Sequence, residues 1–314
     1  MSNTKKQKKI LITGGTGMVG SAFKAIKTNH ELILVGSSDY DLKITDQVKT
    51  MLKRVNPDAI IHLAAKVGGV KGNKDYISDF FYDNILINTN LLNEARIAKI
   101  KKVVSLLSTC IYPDKPIYPL TEDQIHNGEP HQSNFGYAYA KRMLEVQSRA
   151  IRMQYGLNYT TAVPNNIYGE FDNFDLENGH VIPAIIRKIW EAKHKNKTPT
   201  FWGSGNPLRE FTYSKDIARA LMLILENYDD ALPVNIGCTG ESSIKEIVHK
   251  ICKLLNYDGE INWDIEKPEG QYRKPSLNKK FLKTFNDFKY TSLDDGLKKT
   301  CEWFSLNYPN IRGM

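Results

Sequence analysis

Short apolar runs alternate with segments of helical period through the first half of the chain. Strands are predicted at Lys9 to Thr13, Glu31 to Val35, Ala59 to Ala65, Lys102 to Leu107 and Asn158 to Val163. The third run is almost continuously apolar, as expected for a strand covered on both faces of a sheet, and His62 inside it is predicted to be a packed core histidine. Strands that alternate with helices pair in parallel through right-handed crossovers. The pattern therefore predicts an α/β fold with a doubly wound parallel sheet.

The pattern changes after Val163. An irregular stretch rich in Asp and Asn runs from Gly169 to Gly179 and ends at His180. The elements predicted beyond it are a helix from Ile182, a strand at Thr200 to Trp202, a helix at Lys215 to Glu226, a strand at Val234 to Ile236 and a strand near Glu260 to Asp264. These shorter elements predict a smaller α/β lobe that is partly interleaved with the large sheet.

A glycine-rich turn joins the first predicted strand to the first predicted helix. It reads Gly14-Gly15-Thr16-Gly17-Met18-Val19-Gly20 and contains G-x-G-x-x-G from its second residue. Glycine lets the backbone turn sharply and approach a pyrophosphate, while the helix N-terminus offers free N–H groups to the anion. The turn predicts a dinucleotide site, with a purely structural turn as the alternative.

The end of the second strand bears on which dinucleotide binds. An NAD site usually places an acidic residue there for the ribose 2′-hydroxyl, whereas this chain has Gly36-Ser37-Ser38. Small hydroxyl residues leave room for a 2′-phosphate, so NADP is the predicted cofactor. Asp41, slightly further on, is predicted to lie near the adenine, and its alternative role is to cap the next helix.

Two residues four positions apart form a candidate acid–base pair. Tyr137 and Lys141 lie on one face of a predicted helix, and of the 16 tyrosines only Tyr137 has Lys at the fourth following position. A neighbouring ammonium favours the phenolate and would bring the tyrosine pKa, normally about 10, closer to neutrality. The alternative is a chance pair on the surface. The acid–base interpretation therefore requires that the rest of the chain binds a cofactor beside the pair.

Small and polar residues follow the ends of three neighbouring strands. Ala64 and Ala65 end the third, Ser108-Thr109-Cys110 follows the fourth, and Pro164-Asn165-Asn166 follows the fifth. The carboxyl ends of parallel strands meet at one edge of the sheet, where such sheets bind ligands. We therefore expect these residues beside Tyr137, with the alanines small enough for a cofactor to lie close.

Composition excludes several classes of protein. The 314 residues, 41% hydrophobic and 25% charged, are typical of a globular enzyme. No apolar run approaches the ~20 residues of a membrane span, so a cytoplasmic protein without a membrane partner is predicted.

Four dispersed cysteines lack metal-ligand or disulfide spacing. The net charge of +8 comes without a nucleic-acid-binding motif and favours an anionic nucleotide substrate over nucleic acid.

Together, the glycine turn, Ser108 and the Tyr137/Lys141 pair resemble the extended short-chain dehydrogenase/reductase family. Longer segments are similar to the members of that family that epimerise and reduce GDP-4-keto-6-deoxy-mannose, at Ala64 to Gly69, Ser108 to Pro113, Asp172 to Phe174, Gly179 to Pro183 and Trp202 to Arg209. The resemblance implies a Rossmann-type fold. The expected NADP-binding domain is 1–164, joined by roughly 211–240, and the expected substrate lobe is 165–210 with 241–314.

The resemblance also implies roles for individual residues. Ser108, Tyr137 and Lys141 correspond to a reductase triad, and Cys110 and His180 to the base and acid of an epimerisation. Contacts with the GDP-sugar are implied at Lys188, Trp202 and Arg209. Contacts with NADP are implied at Gly14, Gly15, Thr16, Gly17, Met18, Val19, Gly20, Asp41, Ala64, Lys141, Pro164, Asn165, Asn166, Ile167 and His180. No metal is implied.

The chain departs from the family pattern at two positions. Lys188 replaces an arginine, which keeps the charge on the diphosphate but loses the bidentate fork, and Asn165 replaces a common threonine. Structural alternatives also stay open for the epimerisation pair. Cys110 as a packed small hydrophobe and His180 as a loop residue bonded to backbone are both ordinary outcomes.

Two alternative functions remain beside the one that the resemblance implies. One is C4 reduction of a related GDP-4-keto-6-deoxy sugar, a heptose included, with or without epimerase activity. The other is a dinucleotide-binding sensor that keeps the fold without the chemistry. By family analogy we expect a homodimer, formed through the helices at Asn84 to Ala98 and Phe135 to Tyr155.

Overall fold

A six-stranded parallel sheet forms the centre of the computed structural model, which describes residues 6–267 and 271–314. The strands of the described part are β1 (Lys9–Thr13), β2 (Glu31–Val35), β3 (Ala59–His62), β4 (Lys102–Leu106), β5 (Asn158–Val163), β6 (Asn166–Tyr168), β7 (Thr200–Trp202), β8 (Leu208–Tyr213), β9 (Val234–Asn235), β10 (Glu241–Ser243) and β11 (Asn262–Asp264). The large sheet has the order β2-β1-β3-β4-β5-β9, and every pairing in it is parallel. This confirms the predicted doubly wound sheet. Residues 1–5 and 268–270 of the expected domains lie outside the described residues.

Helices cover both faces of this sheet. They are α1 (Met18–Ala22), α2 (Thr45–Val55), α3 (Val70–Asp75), α4 (Ile77–Ile97), α5 (Phe135–Tyr155), α6 (Val181–Lys195), α7 (Ser214–Asn227), α8 (Ile244–Leu255), α9 (Lys279–Thr284) and α10 (Leu293–Asn307). Side chains of α1 and α7 form one buried cluster with the sheet, and those of α2, α4 and α5 form a second. None of the described helices is both long and apolar enough to span a membrane.

The order of the strands places a crevice between β1 and β3. At this point the winding of the chain reverses, and open α/β sheets bind ligands outside the carboxyl ends of such strands. Gly14 follows β1 at φ 72°, and a Cβ there would lie 2.8 Å from the backbone nitrogen of Ala64. Because only glycine permits this approach, the loops after β1 and β3 meet at the floor of the crevice.

The second half of the chain builds two small sheets around a third buried cluster. One sheet has the order β10-β8-β6, and the other pairs β11 with β7 in parallel. Helix α8 begins with a capping box in which Ser243 and Glu246 satisfy each other's backbone N–H groups. Later segments also return to the large sheet, since β9 pairs with β5 and α7 packs against it.

Several elements differ from the prediction. β3 ends at His62 and not at Ala65, because its neighbour β1 ends at Thr13 and turns into the glycine loop. α4 begins at Ile77, seven residues before the predicted start at Asn84, since its first turns carry exposed apolar residues that obscure the helical period. The strands β6, β8 and β10 were not predicted. In β8 a charged residue, Glu210, is buried, so the hydrophobic pattern of the sequence does not indicate a buried strand there.

His62 is buried in the core as predicted. Its Nδ1 lies 2.8 Å from Thr13 Oγ1 and its Nε2 lies 3.0 Å from Asn88 Oδ1. Burial, and then the charge of Lys141, lower its pKa from 6.5 to about 3. The imidazole is therefore neutral in the folded protein at physiological pH.

This burial predicts a loss of stability in acid. Between about pH 6.5 and 3 the unfolded chain binds a proton at His62 that the folded protein excludes, so stability falls as the pH falls through this window. At pH 5 the cost is on the order of 2 kcal/mol. We expect His62→Gln to lose less stability than the wild type between pH 7 and about pH 5 in urea denaturation. The control is His249→Gln at an exposed site, and equal losses in wild type and His62→Gln would contradict the assignment.

Candidate active site

The segment after β4 presents two of the predicted catalytic groups. Ser108 has extended backbone, and its Oγ accepts a hydrogen bond from the backbone N–H of Cys110 at 3.4 Å. A 3₁₀ turn at Thr109–Ile111 follows. This local geometry holds the hydroxyl and the thiol together at the carboxyl edge of the sheet.

Helix α5 brings the predicted acid–base pair to the same edge. Lys141 is buried, and its Nζ donates a hydrogen bond of 2.8 Å to the carbonyl oxygen of Leu106, the last residue of β4. The same Nζ lies 5.8 Å from the centre of the Tyr137 ring. Burial lowers the pKa of Lys141 to about 8, and the nearby Cys110 raises it in part. The ammonium thus fixes α5 against the strand end that leads to Cys110.

The titration of Tyr137 differs from the prediction. Burial, and then the nearby Cys110, raise its pKa, whereas the sequence predicts that Lys141 lowers it. The prediction is wrong because the Lys141 ammonium donates to the Leu106 carbonyl and does not offset the burial of the phenol. A phenol that keeps its proton is suited to act as a proton donor.

Cys110 is a free, half-buried thiol. Burial raises its pKa, while the hydrogen bond with Ser108 and the ammonium groups of Lys274 and Lys141 act in the opposite direction. Tyr137 also lies near it, since Cys110 contributes to the raised pKa of Tyr137. The structure therefore brings Ser108, Cys110, Tyr137 and Lys141 together in one cluster.

His180 is the N-terminal cap residue of α6. Its side chain is 54% exposed, and its Nδ1 lies 3.8 Å from Oδ1 of the buried Asp172. The contact with the Asp172 carboxylate is the main cause of a raised His180 pKa. Within the described part of the chain no hydrogen bond or ion pair joins His180 to Cys110 or Tyr137, so its role beside them remains a prediction.

The glycine turn forms a cradle that is lined by its own backbone. A Cβ on Gly20 would lie 2.3 Å from the carbonyl oxygen of Gly14, and one on Gly15 would lie 2.6 Å from the Cβ of Leu34. Gly17 caps α1 in extended backbone, without a side-chain hydrogen bond at the helix start. Gly15 and Gly20 therefore let the turn pack closely on itself and on β2, and the start of α1, which no side chain caps, is where the sequence predicts a pyrophosphate. The other predicted contacts of this turn, Thr16, Met18 and Val19, lie in the cradle and the first turn of α1.

Asp41 lies in the loop after β2. Its Oδ1 accepts a hydrogen bond of 3.0 Å from the backbone N–H of Lys43. Helix α2 begins at Thr45 with Ile44 as its cap. The alternative in which Asp41 caps this helix is therefore wrong, and its place near an adenine stays a prediction.

The side-chain amides of the two asparagines that follow β5 form hydrogen bonds within the protein. Asn165 is buried and donates to the carbonyl oxygen of Cys238 at 2.6 Å and to Glu210 Oε2 at 3.2 Å. Asn166 donates to the carbonyl oxygen of Glu210 at 2.8 Å. A cofactor contact here would therefore come from backbone atoms. The flanking predicted residues are Pro164, which is buried, and Ile167, which lies in β6.

Two of the predicted substrate contacts lie at β7. Lys188 Nζ donates a hydrogen bond of 2.9 Å to the carbonyl oxygen of Thr200 and lies 5.5 Å from the centre of the Phe201 ring. Trp202, the next residue along the strand, is 65% exposed. A cation that contacts Phe201 and an exposed indole at Trp202 are therefore both found at β7.

The third predicted substrate contact lies closer to the cysteine. Arg209 donates to the carbonyl oxygen of Leu208 at 2.7 Å, and burial lowers its pKa. Its positive charge also lowers the pKa of Lys274, which faces Cys110. Arg209 therefore extends the positive region of the catalytic cluster toward the substrate lobe.

Three charged residues of this region carry no sequence signal that predicts their place. Arg142 follows Lys141 on a helix whose charges ordinarily face solvent, and Asp172 is one of several acids in an irregular loop. Lys274 lies in a polar stretch without periodicity, 165 positions from Thr109, whose carbonyl oxygen it reaches at 3.0 Å. Contacts between residues so far apart in the sequence are formed by the tertiary fold, and local sequence patterns do not predict them. Among the described residues, no group of His, Cys, Asp and Glu side chains could hold a metal ion.

The comparisons with known proteins cover nearly the whole chain. Residues 10–237 match the profile of the NAD dependent epimerase/dehydratase family. GDP-L-fucose synthase from Dictyostelium discoideum is 40% identical over 319 residues, which cover 99% of this chain and 100% of that protein. The crystal structure of a GDP-L-fucose synthetase from Naegleria fowleri bound to NADP has a TM-score of 0.92 at 38% identity, covering 99% of this chain and 96% of its own.

A more distant structure is similar over the same length. A GDP-6-OMe-4-keto-L-xylo-heptose reductase from C. jejuni has a TM-score of 0.88 at 25% identity, covering 96% of this chain and 98% of its own. Sequence and fold thus agree from the first strand to the last helix. On this basis the chain belongs to the NAD dependent epimerase/dehydratase family.

Proposed function

We propose that this chain is an NADPH-dependent enzyme that inverts C3 and C5 of GDP-4-keto-6-deoxy-D-mannose and then reduces C4, which gives GDP-L-fucose. The observation that carries the proposal is the cluster of Ser108, Cys110, Tyr137 and Lys141 at the carboxyl edge of the sheet. The fucose synthases at 38% and 40% identity support the same substrate.

Epimerisation starts from the ketone at C4. A ketone acidifies the hydrogens on the neighbouring carbons, because the electron pair left behind delocalises into an enolate. We assign proton removal to the Cys110 thiolate and proton return on the opposite face to His180. Ser108 and Tyr137 would donate hydrogen bonds to the enolate oxygen, where negative charge develops.

Reduction would use the same tyrosine. NADPH, when bound, supplies the hydride that C4 receives. Tyr137 gives its proton to the resulting alkoxide, and burial, which raises the tyrosine pKa, keeps that proton in place until then. Lys141 holds this helix against the strand end, and the family resemblance assigns it to the nicotinamide ribose as well.

The glycine turn fits a dinucleotide, because Gly20 lets the turn pack tightly on itself and no side chain caps the start of α1 at Gly17. We assign the pyrophosphate to this cradle and the adenosine 2′-phosphate to Ser37 and Ser38. The nearest acid, Asp39, accepts a hydrogen bond of 2.8 Å from the backbone N–H of Gly36. The Asp39 carboxylate is therefore used within the loop and not for a ribose 2′-hydroxyl, which supports NADP over NAD.

A second candidate is a C4 reductase of a GDP-4-keto-6-deoxy heptose. The similarity to the heptose reductase at 25% identity favours it. Such an enzyme would use Ser108, Tyr137 and Lys141 and, without epimerisation, would leave Cys110 unused. The placement of the thiol inside the cluster therefore favours the epimerase. The same intact cluster argues against a sensor without chemistry.

Three further predictions belong to this proposal. The cofactor-binding part would comprise 1–164 with 211–240, and the substrate-binding part 165–210 with 241–314. We propose a homodimer through α4 and α5, which leave Tyr82, Ile97, Met153 and Tyr155 between 47% and 80% exposed. A cytoplasmic location is also proposed.

The direct test is incubation with GDP-4-keto-6-deoxy-D-mannose and NADPH in heavy water. We expect GDP-L-fucose with deuterium at C3 and C5 and NADPH consumed in equal amount. In Cys110→Ser, deuterium uptake at both carbons should fall at least 100-fold, whereas NADPH affinity should not change. In Tyr137→Phe, reduction should fall at least 100-fold with NADPH affinity retained. A wild-type product reduced at C4 without deuterium at C3 and C5 would support the reductase and contradict the epimerase.

The contact between His180 and Asp172 predicts a shift in the pH profile. Because Asp172 raises the His180 pKa, the wild-type imidazole keeps its acidic proton to higher pH than an ordinary histidine. We expect Asp172→Asn to move the alkaline limb of deuterium exchange to lower pH and to lower the His180 pKa in an NMR titration. Asp175→Asn in the same loop is the matched control. An unchanged His180 pKa in Asp172→Asn would refute this coupling.

The proposed dimer can be tested by a charge on its surface. Met153 on α5 is 80% exposed, and burying a carboxylate at an apolar interface is costly. We expect sedimentation equilibrium to give the mass of two wild-type chains and that of one chain for Met153→Glu at the same concentration. Leu306→Glu, which is 86% exposed on α10, should remain a dimer. A monomeric wild type would rule out the proposal.

A further inference from the structure

Three cations converge on the backbone segment that carries Cys110. Each donates a hydrogen bond to a different carbonyl oxygen of residues 106–111, so together they surround the thiol. The bonds run from Lys141 Nζ to Leu106 at 2.8 Å, from Arg142 Nε to Ile111 at 2.6 Å and from Lys274 Nζ to Thr109 at 3.0 Å.

None of the three cations has a carboxylate within ion-pair distance among the described residues. Lys141 and Arg142 are buried, and Nη2 of the arginine has no hydrogen-bond partner. Buried cations are ordinarily paired, because removal from water is costly unless an opposite charge compensates. Asp114 lies near enough to favour the charge of Lys274, but among the described residues it forms no ion pair with it.

Cys110 is the group that faces all three. The other groups around it are the hydroxyl of Ser108 and the phenol of Tyr137, which is neutral because its pKa is raised. Burial raises the pKa of Cys110 above its ordinary value, Lys274 and Lys141 act against this rise, and Cys110 in turn favours the charge of Arg142. A thiolate at this position is the natural partner for the unpaired cations.

Lys274 is held in place by a segment that crosses the site. Two residues that follow it both bond to Leu120, since Leu120 N–H donates to the Pro275 carbonyl at 2.9 Å and the Leu120 carbonyl accepts from Leu277 N–H at 3.0 Å. The buried Glu210 accepts a hydrogen bond of 3.0 Å from the backbone N–H of Ser276. A tethered segment of this kind keeps the ammonium beside Cys110 at low entropic cost.

We infer that Arg142 and Lys274 are positioning residues that supply the counter-charge of the Cys110 thiolate. The thiol loses its proton to solvent before the sugar is turned over. The thiolate then takes a proton from C3 or C5 and becomes a thiol again, while the electron pair of the broken C–H bond moves to the C4 oxygen. This step rests on the proposed function, whereas the ionisation of the cysteine does not.

The test measures the ionisation of Cys110 without substrate. The rate of alkylation of Cys110 by iodoacetamide is followed against pH by peptide mass spectrometry in wild type, Arg142→Met and Lys274→Met. We expect each variant to raise the Cys110 pKa by about one unit, which makes alkylation near neutral pH roughly tenfold slower. Arg142→Lys and Lys274→Arg keep the charge and should restore the rate to within about threefold of wild type.

Matched controls separate charge from structure. Arg149→Met lies on the same helix and Lys279→Met lies just beyond the Lys274 segment, and neither should change the rate. The buried Cys252 and Cys301 should stay unmodified in every variant, which shows that the fold is intact. If iodoacetamide does not reach Cys110, the ultraviolet absorbance of the thiolate, taken as the difference from Cys110→Ser, gives the same pKa.

The outcomes are distinct. Rates in Arg142→Met and Lys274→Met within twofold of wild type would overturn the inference. Charge-keeping variants that behave like the methionine variants would also overturn it, because packing would then be the cause. A raised Cys110 pKa together with a product lacking deuterium at C3 and C5 would leave the inference standing and contradict the proposed function.

Discussion

The hydrogen bond between the Lys141 ammonium and the Leu106 carbonyl connects the fold to its chemistry. It joins the helix that carries Tyr137 to the strand that ends at Ser108 and Cys110, across 35 positions of sequence. The ammonium is buried, so the bond cannot be exchanged for one with water. The position of the phenol beside the thiol depends on this contact.

Burial sets the direction of the pKa shifts of Tyr137, Cys110 and Lys141, and nearby charges adjust them. Burial raises the pKa of Tyr137 and Cys110 and lowers that of Lys141. For the tyrosine the result is a retained proton, which suits a donor. For the cysteine, burial raises the pKa and the surrounding cations lower it. A thiolate base requires such a lowering. One environment can thus favour acid and base in neighbouring groups because the positive charges lie around the thiol.

Much of the large sheet could be predicted from the sequence, because its signals are local. The strands β1, β2 and β5 have the predicted bounds, and the glycine turn and the pair Tyr137 and Lys141 follow from short-range spacing. Both strands of the two-stranded sheet, β7 and β11, were also predicted, but the sheet of β10, β8 and β6 was missed, since β8 buries Glu210 and its pairing partners lie far along the chain. The β-propensity of individual residues does not show which distant strands will pair.

The electrostatics of the site were predictable only in part for the same reason. Spacing places Lys141 near Tyr137, but it does not show that the ammonium donates to a carbonyl and leaves the phenol protonated. Nothing local marks Lys274 as a neighbour of Cys110. The family resemblance supplied His180, whereas the structure supplies its partner Asp172.

The most direct measurement is a crystal structure of the protein with NADP and GDP-L-fucose bound together. The account predicts that Tyr137 Oη and Cys110 Sγ both lie within roughly 3–4 Å of the same sugar ring, the phenol at the C4 oxygen and the thiol at C3 or C5. The nicotinamide should lie on the other side of C4. A ring that meets Tyr137 while Cys110 contacts neither carbon would contradict the central claim that one cluster serves both reactions.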